Sequence, residues 1–164
     1  MNTNTSISSH KLAVIVLAML LVFTVAANAQ STQSQNGLAG TWNVHVTIQN
    51  CASGAPLLSF QSILAFHQGG TLSGTTSNPM FAAGQRTSDY GVWSYQGGQA
   101  YSAISDAYIL FDGGPLVRGT QRITQTITVN GDTFSSNATT QFFDANHAAH
   151  GPALCAVATG TRFE

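Results

Sequence analysis

Beyond residue 40 the chain never sustains a helical period. Short runs rich in Val, Ile, Thr, Phe and Tyr alternate instead with glycine-bearing turns such as "QGG", "DGGP" and "NGD". β-Branched and aromatic residues fit a pleated, half-buried surface, and glycine supplies the backbone freedom that tight turns need. The pattern predicts strands over 40–50, 57–67, 71–77, 88–95, 99–111, 116–129, 133–143 and 155–163. Longer loops fall at "NPMFAAGQRT" and "DANHAAHGPAL". Eight strands with mostly short connections predict an all-β fold, an antiparallel up-and-down meander.

The two ends of this meander look like partners. In "GTWNVHVTIQNC", Trp42, Val44, Val46 and Ile48 alternate with Asn43, His45, Thr47 and Gln49, so one face is apolar and the other polar. The chain closes on "CAVATGTRFE". Cys51 and Cys155 are its only cysteines, an even pair that in an oxidising compartment forms a disulfide by default. Free thiols or a metal pair is the competing reading, but neither cysteine sits in a Cys-x-x-Cys or beside a histidine. A disulfide tolerates only about 4.4–6.8 Å between Cα atoms, so the bond sets the first strand beside the last. Pairing Cys51 with Cys155 and Trp42 with Arg162 differs by two residues of register, which a bulge or a diagonal contact absorbs. A meander whose first and last strands pair is a closed barrel without a free edge.

Residues 1–29 read as a signal peptide. A polar start with one lysine, Lys11, precedes the apolar run from Leu12 to Ala27, and "ANA" ends in a small-residue cleavage site before Gln30. The run falls short of the roughly 20 residues that a spanning helix needs. Residues 30–37 form a polar linker, and 38–164 a single barrel domain. The expected location is secreted or periplasmic. The arginines Arg86, Arg118, Arg122 and Arg162 face six acidic residues in the whole chain. Such a balance excludes the clustered basic charge that nucleic acid or an anionic membrane surface requires. No membrane association is expected once the leader is removed.

Gly40-Thr41-Trp42 at the start of the first strand, with Arg162 on the last, resembles the calycins, the superfamily of lipocalins, fatty-acid-binding proteins and avidins. The resemblance covers the whole mature chain and implies a meandering barrel with a central cavity. It departs from the lipocalins in lacking a helix after the last strand. It departs from fatty-acid-binding proteins in having only "CASGAP" where they insert a helical lid, and from avidins in lacking their biotin-contacting pattern. A second eight-stranded family, that of allene oxide cyclase and dirigent proteins, is similar in having no terminal helix. On the predicted register the Arg162 guanidinium lies over the Trp42 indole, a contact worth roughly 0.5–2 kcal/mol. Both residues are read as structural.

A barrel of this size encloses packed side chains or one small ligand. The expected lining is aromatic: Phe60, Phe66, Trp93, Tyr95 and Tyr101. Arg118 and Arg122 share one side of their strand with Thr120 and Thr124, while Val117, Ile123, Ile127 and Val129 occupy the other. The arginines are therefore expected to face solvent, with Asp106 near Arg122 as a surface ion pair; a bulge near Gly119 is what would turn Arg118 inward. His147 and His150 lie three apart with Asp144 close by, too few ligands for a metal site without a further contribution. No metal and no cofactor is expected. There is no Gly-x-Ser-x-Gly elbow and no cysteine left over for nucleophilic chemistry. The expected function is binding of a small apolar molecule rather than catalysis. The alternatives are a barrel isomerase or cyclase, which needs an inward Tyr, Asp or Arg in a perturbed environment, and a structural protein with a filled barrel.

Overall fold

The computed structural model describes residues 37–163. The expected signal peptide, most of the 30–37 linker and Glu164 lie outside the described residues. Eight antiparallel strands follow one another around a closed barrel: β1 Gly40–Gln49, β2 Pro56–Phe66, β3 Thr71–Thr76, β4 Asp89–Gly97, β5 Ala100–Ile109, β6 Gly119–Asn130, β7 Thr133–Asp144 and β8 Ala149–Arg162. There is no helix among the described residues.

The β1–β8 ladder runs without a shift from Trp42↔Arg162 to Gln49↔Cys155. The two-residue offset to the disulfide is thus no bulge in this ladder. Cys51 lies past the end of β1, in the turn closed by Asn50, and reaches back diagonally to Cys155 with 5.1 Å between Cα atoms.

The largest difference from the sequence reading is at β8, which begins at Ala149 rather than at residue 155. The stretch "HGPAL" has loop composition, but it belongs to a bulged strand. Phe142 pairs with His150 and Thr140 with Leu154, so three residues of β8 oppose Gln141 alone. Gly151, at φ 67°, and Pro152 sit in this bulge, where a missing N–H and a left-handed backbone are tolerated. The Gln141 side-chain amide donates to the Phe142 and Gly151 carbonyls at 2.9 and 3.2 Å. The β7–β8 turn itself is short: Asp144 Oδ1 accepts from the Asn146 and Ala148 amides.

Alternation holds around the barrel, with one face of each strand inward. At the end carrying the short turns, Trp42, Phe66, Trp93, Tyr101 and Phe134 fill the interior as a plug of edge-on and tilted rings. Gly160 makes that packing fit, because a Cβ there would lie 2.2 Å from the Phe134 ring. Arg162 covers the plug, its guanidinium 4.2 Å from the Trp42 ring centroid and donating to the Gly37 and Ala39 carbonyls. Trp42 Nε1 donates to the Leu38 carbonyl at 2.9 Å. A second, smaller cluster of Ile109, Leu116 and Phe142 lies toward the other end.

Candidate functional site

Beyond the plug, the β7 and β8 walls carry small inward residues: Ser136, Ala138, Ala156 and Ala158. Side chains this short cannot fill a barrel, and a cavity of about 90 Å³ remains. Val44, Val46, Phe60 and Leu64 from β1 and β2 line it on the side of those strands.

The loop of residues 77–88 reaches over this space, and Met80 and Phe81 line the cavity. Phe81 packs against Phe142 with ring centroids 6.5 Å apart. Gln85, 1% exposed, anchors the loop. Its Oε1 accepts from the Ala82 amide, its Nε2 donates to the Phe111 carbonyl, and its own carbonyl accepts from Leu110 N.

Where the loop enters β4, Arg86 and Asp89 form a buried ion pair at the cavity wall. Each guanidinium nitrogen of Arg86 is engaged: Nη2 with Asp89, Nε with Gln121 Oε1 at 2.5 Å and Nη1 with the Thr87 carbonyl at 3.0 Å. Burial pushes the Asp89 carboxyl above the ordinary carboxylate range, and the charge and hydrogen bond of Arg86 pull it back only in part.

Of the aromatics expected to line a ligand site, Phe60 faces the cavity. Phe66, Trp93 and Tyr101 belong to the plug, and Tyr95 packs against it. Burial, with Tyr95 beside it, raises the Tyr101 phenol above its ordinary value. The structure therefore divides the five residues between the cavity and the plug.

Arg118 is exposed, and its backbone amide donates to Asp112 Oδ1. Arg122 pairs across the ladder with Asp106 through two bonds of 2.8 and 2.7 Å on the outer face, and these bonds raise its pKa further. Among the described residues no group of three or more His, Cys, Asp and Glu side chains is placed to hold a metal ion.

Sequence reasoning missed the polar residues of the lining, among them Arg86, Asp89, Ser105, Gln121, Gln125 and Ser136. One signal was available. Gln121 and Gln125 fall on the same alternating face of β6 as Ile123, Ile127 and Val129, so strict period-two counting puts both glutamines inside. No protein-family model, curated protein or solved structure matches this chain.

Proposed function

We propose that this protein is an exported barrel that binds one small, largely apolar molecule for carriage or sequestration. The observation that carries this reading is the roofed cavity, lined mostly by aliphatic and aromatic side chains and bounded at one end by the aromatic plug. Its volume of about 90 Å³ is of the order of, though below, the roughly 150 Å³ apolar cavity that takes up benzene. A compact ligand therefore suits the site better than a long lipid chain. The Cys51–Cys155 disulfide supports an oxidising destination, extracellular or periplasmic. Outward positions on β6 and β7 are largely Thr, Ser and Asn. A mainly apolar plug inside and a polar outer face on these two strands are the reverse of a membrane-spanning barrel, and support a barrel surrounded by water.

Native mass spectrometry of the exported protein, compared with the same sample denatured, tests this reading. The expected result is a small added mass in the native spectrum alone. A native mass equal to the denatured one, together with no uptake of any compact apolar molecule added to the sample, overturns it.

A second reading is favoured by one specific feature. Asp89 is an inward carboxyl with a raised pKa at the cavity wall, which is what a barrel isomerase or cyclase would use as a proton donor. The engagement of every Arg86 nitrogen around it weighs toward a structural role. Conversion of a captured ligand by the wild type but not by an Asp89→Asn variant would favour the enzyme.

A further inference from the structure

The inner wall of β5, β6 and β7 carries Ser105, Gln125 and Ser136, exposed by only 3, 7 and 5% and all lining the cavity. Ser105 faces Ile123 and Ser136 faces Ile127 in the ladders, so Gln125 lies diagonally between them. Diagonal neighbours on one face of a sheet are within reach of long side chains. The three residues therefore run as a polar strip across three adjacent strands.

Among the described residues none of the three side chains makes a hydrogen bond to protein, and no fully shielded side-chain nitrogen or oxygen is without a partner. Their polar atoms are consequently turned into the cavity space rather than sealed in packing. An amide or hydroxyl held in a largely apolar space favours any occupant that gives it a hydrogen-bond partner. Three such groups in a row, facing Val44, Val46 and Phe60 from other strands, form an amphipathic interior.

The charge of the site narrows its chemistry. Arg86 and Asp89 are the charged side chains on the lining, and they bind each other. A ligand carboxylate or ammonium would lose its hydration and meet no free counter-charge. Serine hydroxyls and a glutamine amide, by contrast, both donate and accept.

We infer that the ligand is a compact, uncharged molecule with an apolar body and one hydrogen-bonding end, a hydroxyl or carbonyl, held by Ser105, Gln125 and Ser136. This rests on the binding function proposed above. The body lies against the β1 and β2 side chains, and the strip orients the polar end toward β5, β6 and β7.

Cyclopentane, cyclopentanol, cyclopentanone and cyclopentanecarboxylate serve as probes, with dissociation constants measured by NMR titration of the purified protein. In Gln125→Met the constant for cyclopentanol or cyclopentanone is expected to rise about tenfold relative to that for cyclopentane. The probe with the larger shift identifies the end group. Ser136→Ala, a smaller change that guards against a misfolded glutamine variant, is expected to move the same ratio in the same direction. Binding with ratios unchanged in both variants overturns the inference and leaves the binding function standing. No binding of any uncharged probe overturns both. Carboxylate binding as tight as that of the alcohol overturns the assignment of an uncharged ligand.

Discussion

Arg162 reaches three kinds of partner at once: the Trp42 ring, the Gly37 and Ala39 carbonyls, and the Asp132 carboxylate at 3.1 Å. The first two are shielded and the last is largely solvated, so the loss on truncation falls mainly on the stacking and the carbonyls. Arg162→Ala is expected to lower unfolding stability by about 3 kcal/mol in a urea titration. Arg162→Lys should recover less than half of that, because an ammonium cannot lie flat on the indole and bridge two carbonyls. Asp89 gives a pH signature. Burial raises its folded pKa above the ordinary carboxylate value, so the folded state holds its proton more tightly than the unfolded chain. The stability it contributes is complete below the unfolded pKa and is lost as pH rises through the folded one. Urea midpoints measured upward from about pH 3.5 should therefore fall more steeply with pH in the wild type than in Asp89→Asn; equal slopes would refute the assignment. The Trp42–Arg162 stack was legible in the sequence because strand alternation and two cysteines set its register. The Ser105–Gln125–Ser136 strip was not, since Ser and Gln on a Thr-rich strand look like outward residues until the alternation is counted from a fixed apolar neighbour.

Among the elements, β8 was the least legible, for a physical reason. A bulge suspends the period-two pattern, and Gly151 and Pro152 supply the loop composition that its conformation requires. The other strands were predicted to within a few residues because glycine-bearing turns or loops bound each run of β-branched and aromatic residues. β8 also carries a close approach. Gly160 faces Phe134 across the ladder, and a methyl group there would overlap the ring. Gly160→Ala is expected to cost about 1–3 kcal/mol through displacement of Phe134 from the plug. In a double-mutant cycle with Phe134→Leu, the two losses should fall short of additive, because the smaller side chain removes the clash. Additive losses would mean that the glycine is needed for the strand's backbone rather than for the ring.

At the level of the whole molecule, two different devices join the ends of the meander. The disulfide spans 104 residues of sequence, a loop for which the chain-entropy model gives about 4–5 kcal/mol through restriction of the unfolded state. A Cys51→Ser/Cys155→Ser variant should accordingly show a lower guanidinium midpoint. Its far-ultraviolet spectrum should be unchanged before unfolding, since Cys51 lies outside the β1–β8 ladder and Cys155 joins it through its backbone pairing with Gln49, which a serine keeps. The barrel was legible as a whole because closure is a topological consequence of pairing the ends, whereas the cavity depends on which inward side chains happen to be small. Closure by the last strand also sets a schedule. During synthesis β1 is made first, yet one of its two partners, β8, is the last strand to emerge. Until then β1 and β7 both present unpaired edges, the surfaces through which nascent chains stick to one another. Folding to completion must therefore wait for the final strand, and a stalled or truncated chain would lose protection from aggregation before it lost most of its residues.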